Sequence, residues 1–437
     1  MRFAIGACTF LLAVLSSCPV AAQLRQYTPP GGAEPERTVD AEAIEQEMAE
    51  ARWRFGPVRV QPVLGLSNLS WTDDVFDERG ADGEPEQDVS DLTATLVAGA
   101  TAWLPTGSHV FWTAEATPSY VWWRDLDERN QATGRYGAGV FGFWNRLTLE
   151  AAAERNEEQG LQTLEALELA VSRTDRLEAG ATLRLSGAIG LFARGSVTEV
   201  ESQQPEGTDP RSARFGRVDR EERFAAAGLA WQPRERVRVG LGVERAEIEF
   251  APGARDLSAE DTSPILELSL GGDDADLALD LRLALRSLEP TGTSRFAGFD
   301  EPAGELYLTF RPGWRIELEL FTERRPVFAL SEEWSHFVED RVGAGVSVEL
   351  GERASWRIYG DVGDLEFVGI APGARRRDDE LTVYGTSLSW QPSPRVGLSF
   401  ELGWESFEID SSLPGFDRET TRLRGGIQLG LDSLLWR

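Results

Sequence analysis

Charged side chains recur at every second position in many segments of this sequence, and they are its main candidates for functional residues. In residues 277–286, leucines at odd positions alternate with Asp280, Arg282 and Arg286 at even positions. A period of two puts the leucines on one face of a β-strand and the charges on the other. A wall of such charges attracts and sorts ions and polar solutes, so the pattern predicts binding or passage of solutes.

The same parity, followed along the chain, assigns a larger set of charged residues to the polar face. The set is Glu115, Glu150, Glu154, Glu244, Glu267, Asp280, Arg282, Arg286, Glu317, Glu319, Glu323, Glu349, Glu401, Glu405, Arg422 and Arg424. Most of its members are acidic, so we expect an aqueous lumen that favours cations. The alternative is that these charges pair across strands and only hydrate the wall. The last hairpin should place Glu405 near Arg422 and Glu401 near Arg424.

Motifs for catalysis are scarce, because the chain has only two histidines, His109 and His336. His336 and Asp340 share a strand face, as a base and its orienting carboxylate would, but they are separated by roughly 13 Å along the strand. The sequence contains no nucleophile elbow, zinc-protease helix motif or phosphate-binding loop. We therefore predict no enzymatic activity and no cofactor.

An acidic segment over residues 73–88 is dense in carboxylates, which are ligands that Ca²⁺ prefers. A solvated acidic loop is the favoured interpretation, because the spacing of an EF-hand is missing. The alternative is a divalent bridge to lipopolysaccharide. We predict no metal site.

The first residues have the pattern of a secretion leader. Residues 3–15 form an apolar run too short to span a bilayer, and small residues precede Gln23. This predicts a signal peptide over residues 1–22, cleaved between Ala22 and Gln23. The alternative is a lipobox with a lipidated Cys18. Both cysteines lie in the leader, so the mature chain would contain no disulfide bond.

Residues 23–56 are predicted to form a periplasmic N-terminal tail. Its first part, residues 23–37, is rich in Pro, Gly and Glu and is typical of a disordered segment. A short helix is predicted within residues 39–53, on the helical spacing of Ala41, Ile44, Met48 and Ala51. The alternative is that this helix rests in the mouth of the following domain.

From residue 57 to residue 437, alternating segments predict an all-β domain of about eighteen strands. They lie near residues 58–72, 90–104, 109–124, 132–144, 146–157, 162–173, 176–200, 219–232, 236–249, 262–271, 276–287, 300–311, 314–325, 335–350, 353–367, 379–391, 395–408 and 419–431. The segment 176–200 is kept whole because its parity never breaks, which places a turn at Thr174 and Asp175. Short and long connections alternate, as in a transmembrane antiparallel β-barrel with short periplasmic turns and long external loops.

Charge and tryptophan placement bear on the partners of this barrel. The formal net charge is −29 and every basic residue is arginine, which disfavours nucleic-acid binding. Tryptophans cluster near strand ends, as in the aromatic girdles at a membrane interface. We predict a periplasmic girdle and an external girdle, formed respectively by Trp103, Trp144, Trp231, Trp314, Trp356, Trp390 and Trp436, and by Trp71, Trp122, Trp123, Trp334 and Trp404.

Two regions resemble the type 2 outer-membrane β-barrel porins of Gram-negative bacteria. Residues 64–76, which run from Leu-Gly-Leu-Ser-Asn to Trp-Thr-Asp-Asp-Val-Phe, resemble the opening strand and loop of that family, and residues 90–120 are similar to its next hairpin. Val75 stands where members usually have Asn. Residues 424–431 resemble the C-terminal signal for the barrel assembly machinery, although the chain ends with Trp436 and Arg437. The function of the family is loosely defined, and some relatives are linked to exopolysaccharide operons.

Together these patterns predict a barrel in the outer membrane of a Gram-negative bacterium. It would contact outer-membrane lipid and lipopolysaccharide and pass small hydrophilic solutes. The alternative function is binding or export of surface polysaccharide, with Trp122, Trp123 and Trp334 stacking on sugars.

Overall fold

The computed structural model describes residues 41–73, 90–203, 216–234, 236–252, 256–271, 275–313, 315–351, 353–370, 376–393, 398–414 and 416–429. They form one helix, α1 (Ala41–Glu50), a short strand, β1 (Trp53–Phe55), and eighteen longer strands. The longer strands are β2 Val58–Thr72, β3 Asp91–Thr106, β4 Val110–Trp123, β5 Gln131–Phe143, β6 Leu147–Thr163, β7 Ala166–Arg184, β8 Ile189–Gln203, β9 Arg220–Arg234, β10 Val237–Phe250, β11 Ala259–Leu270, β12 Leu277–Pro290, β13 Phe299–Gly313, β14 Ile316–Phe328, β15 Trp334–Glu349, β16 Ala354–Gly369, β17 Arg377–Ser393, β18 Leu398–Ser411 and β19 Arg418–Leu429.

The eighteen strands β2–β19 close into an antiparallel barrel. Each strand pairs with the next along the chain, and β19 returns to pair with β2 through Leu429 and Leu64. Closure satisfies the backbone N–H and C=O groups of every strand without leaving a free edge. The predicted all-β barrel of about eighteen strands is confirmed.

The two faces of the wall differ sharply in exposure and polarity. Leu177, Leu285 and Leu402 are 60%, 61% and 56% exposed, respectively, on the outer face. The neighbouring positions of the opposite parity hold buried polar residues such as Glu244 and Ser263, both fully buried. A closed barrel with an apolar exterior and polar interior buries the apolar side in lipid.

The connections divide the barrel into two ends. At the short-turn end, consecutive strands are joined by turns such as residues 107–109 and 144–146. At the loop end lie longer connections, including the segment between Gln203 and Arg220. In bacterial barrels the short turns face the periplasm and the long loops face outward.

The predicted single strand over residues 176–200 is wrong, and so is the turn at Thr174 and Asp175. Both residues lie inside β7, and the chain reverses at residues 185–188, where the N–H groups of Leu185 and Ser186 donate to Ile189 O at 2.9 and 3.1 Å. Antiparallel partners share a face, and the pair Leu183–Leu191 consists of two odd-numbered residues. Apolar parity therefore runs through this turn unbroken and does not reveal it.

Helix α1 occupies the mouth at the short-turn end. Ile44 and Ala51, at the predicted helical spacing, are buried against Trp103 and Phe111, whose side chains point to the barrel interior. The helix is therefore attached to the wall from inside, as in the alternative given for the tail. Within the described residues, no helix is long and apolar enough to cross a membrane. The predicted cleavage between Ala22 and Gln23, and Cys18, lie outside those residues.

Candidate functional site

The strand register puts the predicted charged residues at inward positions. Glu115 faces Thr101 and Gly137, Glu150 faces Phe141, and the parity continues around the ring. The other members of the predicted set hold the same register positions on β6, β10–β12, β14, β15, β18 and β19. The inner wall is therefore the candidate site, and its charges follow the two-residue period of the strands.

An ion-pair cluster built around the buried carboxylates of Glu244 and Asp261 covers the inner wall from β8 to β12. Glu244 contacts Arg282 at 2.5 Å and Arg286 at 2.7 Å. Arg286 also contacts Asp261, at 2.8 Å. Arg194 on β8 binds Glu267 three strands away on β11, a contact that only inward-pointing side chains can make.

A second cluster covers β14–β16. Arg341 contacts Glu339 and Asp361, both at 3.1 Å, while Arg325 contacts Glu323 at 2.9 Å and Glu339 at 3.1 Å. Arg341, Glu339 and Asp361 are buried, so each of these charges depends on the others for compensation. Two further pairs continue the wall toward the short-turn end: Arg357 with Glu319 at 2.5 Å, and Arg311 with Glu317.

Other predicted residues lie outside these two clusters. Glu154 pairs with Arg135 at 3.2 Å, and Glu115 accepts a hydrogen bond from Thr117 Oγ1 at 3.3 Å. Glu150 lies over Gly180, where an added Cβ would meet its carboxylate. Asp280 and Glu349 occupy inward positions near the short-turn end.

The last hairpin has the predicted register. Glu405 lies directly opposite Arg422 and accepts a hydrogen bond from Tyr359 Oη at 2.7 Å. Glu401 lies opposite Gly426, two residues from Arg424.

Sequence reasoning missed many of the arginines that neutralise this wall. Several pairs join strands two or three apart, such as Glu244 on β10 with Arg282 on β12, so cross-strand neighbours alone do not identify them. The detectable signal was the parity itself, which also places further arginines on the inner face, namely Arg135, Arg194, Arg311, Arg325, Arg341 and Arg357.

The hairpin of β14 and β15 turns into the barrel at the loop end. Residues 334–339 are buried without a break, whereas the rest of β15 alternates between buried and exposed. One side of the hairpin packs on the wall of β10–β13, where Phe328 meets Phe250 at 4.9 Å and His336 meets Phe296 at 4.9 Å between ring centroids. The other side, through Phe337, packs on β16–β18. This end of β15 stays paired with β14 and β16, but β14 leaves β13 after Arg324, so the hairpin bends away from β13 into the interior.

The turn between β6 and β7 meets this hairpin from the other side of the ring. Glu165 accepts hydrogen bonds from Leu330 N and, at 3.0 Å, from Ser331 N, while Leu164 packs into the cluster that contains Phe337. Strands β7 and β15 are eight positions apart in a ring of eighteen, so the two tips come from nearly opposite walls. Their contact spans the interior and narrows it at the loop end.

Three solved structures share this architecture. The crystal structure of Pseudomonas aeruginosa OccK2 (OpdF) matches with a TM-score of 0.50 and 13% identity, over 85% of this chain and 98% of that chain. A BenF-like porin from Pseudomonas fluorescens Pf-5 matches with a TM-score of 0.52 and 10% identity, over 85% and 99%. The outer membrane protein opdK from P. aeruginosa matches with a TM-score of 0.50 and 13% identity, over 85% and 98%.

This chain has a porin fold. The fold implied by the resemblance in residues 64–76 and 90–120 is therefore confirmed. At these identities the likeness establishes the architecture alone. No family model and no curated protein matches the sequence.

Within the porin fold, the tryptophans divide between two roles. On the outer face near the short-turn end, Trp231, Trp356 and Trp390 are exposed, and Trp71 and Trp122 are exposed near the loop end. Trp103, Trp123 and Trp334 are buried inside, so their predicted place in the girdles is wrong. Trp103 packs on the helix and Trp123 on the inner wall, because both have the parity of inward-facing residues. Trp334 packs in the inward hairpin, which holds it away from lipid. Trp314 and Trp436 lie outside the described residues.

In the porin fold, His336 and Asp340, which share a strand face, contact different partners. The His336 ring packs between Phe296 and Phe299, and its Nδ1 lies 3.2 Å from Ser335 Oγ. Asp340 pairs with Arg324. The histidine fills an apolar cluster, and the carboxylate is taken by an arginine.

Most of the predicted acidic loop, residues 74–88, lies outside the described residues. Its first member, Asp73, accepts hydrogen bonds from Thr421 N at 2.9 Å and Thr420 Oγ1 at 3.2 Å. In the described part of the chain, no three His, Asp or Glu side chains are grouped to hold a metal ion.

Proposed function

We propose that this protein is an outer-membrane channel that passes small hydrophilic solutes and does no covalent chemistry. The observation that carries the proposal is the closed eighteen-stranded barrel, with exposed leucines outside and ionised side chains inside. A barrel of this width leaves an aqueous path that its side chains do not fill. The three similar solved structures, two of which are described as a porin and an outer membrane protein, share the barrel.

The permeation path would run between the two ion-pair clusters and past the meeting of the two hairpin tips. The narrow loop end favours small solutes, and the paired charges of both signs offer hydrogen-bond partners to polar groups. Since arginines compensate many inner carboxylates, we expect only a weak preference for cations. That preference follows from the net acidic character of the chain, −29.

The outer face defines the lipid partners in this proposal. Its leucines would contact hydrocarbon, and the charged strand ends above them would lie at the level of lipopolysaccharide headgroups. The barrel assembly machinery would insert the chain through its C-terminal strand, whose last predicted residues lie beyond the described ones.

A planar bilayer tests the proposal directly. Purified, detergent-refolded protein should produce discrete conductance steps, and the reversal potential across a KCl gradient should show a slight cation preference. Heat-denatured protein from the same preparation is the control. Protein that inserts stably into the bilayer but conducts no more than this control would overturn the channel.

Of the three tryptophans assigned to polysaccharide binding, Trp122 is exposed on the outer face near the loop end, and the other two are buried. Trp123 is buried with its Nε1 bound to Gln159, and Trp334 is buried in the hairpin cluster. Neither presents a ring face on which a sugar can stack.

A further inference from the structure

Helix α1 lies inside the barrel, not beside it. Its apolar side, formed by Ile44 and Met48 with the following Ala51, packs on Trp103 and Phe111 of the inner wall. Trp103 also donates from Nε1 to Glu47 Oε2 at 3.1 Å. The neighbouring outer-face residue Trp112 is 50% exposed, whereas Phe111 is 3% exposed, which fixes the side of the wall that the helix covers.

The connection to the barrel holds the helix in place. The chain leaves the mouth through β1, which pairs antiparallel with the start of β2, and reverses at Gly56 with φ of +61°. Arg52 N donates to Gln61 Oε1 at 3.0 Å, and Arg54 Nη2 donates to Ala49 O at 3.2 Å. The second bond satisfies a carbonyl that a helix C-terminus leaves without a partner. A helix tied this closely stays at the mouth.

The side of α1 away from the wall is acidic. Glu42 and Glu45 are exposed, and the helix contains no basic residue. This contrasts with the barrel wall, where arginines lie against the inner carboxylates. Fixed charges at the entrance of a pore with low-dielectric walls change the local concentration of permeating ions.

We propose that α1 is part of the permeation path, narrows the short-turn mouth and gives that mouth its preference for cations through Glu42 and Glu45. The inference rests on the proposed channel function. It makes an N-terminal segment, rather than the barrel wall, the main source of charge selectivity at this end.

The charge arm of the test is the double variant Glu42→Gln, Glu45→Gln. Neither residue belongs to the packed side of the helix, so docking is retained. The cation preference should fall in 0.1 M salt and the difference from wild type should fade in 1 M salt, because screening shortens from about 10 Å to about 3 Å between these concentrations. The matched control is Asp127→Asn, Glu128→Gln, which removes the same charge from exposed positions at the loop end.

The steric arm is Ile44→Asp, which puts a charge into the packed side of the helix and should release it. The barrel ladder does not include α1, so the variant should refold as wild type does. Its unitary conductance should rise, while the Glu42→Gln, Glu45→Gln variant should leave the mouth equally narrow.

The outcomes separate the two proposals. Absence of conductance in the inserted wild-type protein would remove the channel itself. If the wild type conducts, but neither the helix variant nor the loop-end control changes its ion selectivity, the proposed role of Glu42 and Glu45 is overturned. An unchanged conductance in Ile44→Asp, with the helix shown to be released by protease cleavage within residues 41–52, would overturn the narrowing.

Discussion

The two ends of the barrel are narrowed by different means. At the loop end, the β14–β15 hairpin is buried on both faces and meets the β6–β7 turn through Glu165. At the short-turn end, α1 attaches by one face to Trp103 and Phe111 and leaves its other face exposed. The first arrangement is a long-range tertiary contact between opposite walls. The second is an amphipathic helix held by its chain neighbours.

A segment that is buried on two faces is held more firmly than a segment that is buried on one face. A substitution in the inward hairpin disturbs clusters on both sides of it, including buried charges. A substitution in α1 disturbs one apolar contact surface. Substitutions in the inward hairpin should therefore lower the free energy of unfolding more than substitutions in α1 do, and they should also change the channel current more.

The largest effect is expected from shortening the inward hairpin. Replacing residues 328–335 by two glycines removes the contacts of Phe328 and Trp334 and the backbone groups that bind Glu165. Single-channel recordings should show a several-fold rise in unitary conductance. Replacing residues 124–128, of which all but the half-buried Leu126 are exposed, by two glycines is the control and should leave the conductance close to wild type. Equal conductance in the two variants would show that the hairpin does not narrow the path.

The buried ion pairs beside the hairpin provide the next test. Arg341→Met leaves Glu339 and Asp361 without their shared arginine, and removing one partner from a buried pair costs about 3–5 kcal/mol. Urea unfolding of the refolded barrel in micelles measures the loss.

The control for that test is Arg245→Met. Its side chain is 66% exposed and lies 3.4 Å from Glu260, and exposed pairs contribute about 0–1 kcal/mol. A similar loss in both variants would contradict the burial argument.

A matched pair of glutamates compares the two ends directly. Glu165 is buried and accepts hydrogen bonds from two backbone N–H groups, whereas Glu47 is exposed and accepts a hydrogen bond from the Trp103 indole. Glu165→Ala should cost about 1.5–3 kcal/mol, the range for hydrogen bonds to charged groups, and should increase current fluctuations. Glu47→Ala should have a much smaller effect on both measurements. The reverse order would make the helix the more firmly held element.

The smallest effect concerns pH at the loop end. Burial raises the pKa of Asp219, which accepts a hydrogen bond from Ser202 N at 2.7 Å and lies outside the strands. A raised pKa means that the folded barrel holds the carboxyl proton of Asp219 more tightly than the unfolded chain does. Stability from this group is therefore lost as the pH rises from about 4, the ordinary value, through the folded-state pKa.

Asp219→Asn should remove that dependence. The urea midpoint of the variant should gain on the wild type as the pH rises across this window, and the gain should level off above it. A constant difference at all pH values would show that Asp219 does not titrate differently in the folded barrel.

The spacing of apolar and polar residues was enough to predict the architecture and part of the candidate site. Alternation with a period of two, as in residues 277–286, places one face in lipid and the other inside, whatever the strands pair with. The alternating connection lengths then assign most turns to one end of the barrel or the other, although the two-residue β6–β7 turn at residues 164–165 lies at the loop end. The spacing of Ile44, Met48 and Ala51 likewise defines the apolar side of α1, because helical geometry acts within a few residues.

Residue spacing was therefore sufficient to predict the closed barrel, its inner and outer residues and the amphipathic helix, since each follows from a short repeating geometry. The turn at residues 185–188 was visible only in the folded chain, because antiparallel pairing preserves parity through it. The tertiary structure also decided that the β14–β15 hairpin bends inward, burying Trp334, and that Arg194 reaches Glu267 three strands away. Those contacts depend on the curvature of the closed wall, which brings together residues that no spacing along the chain relates.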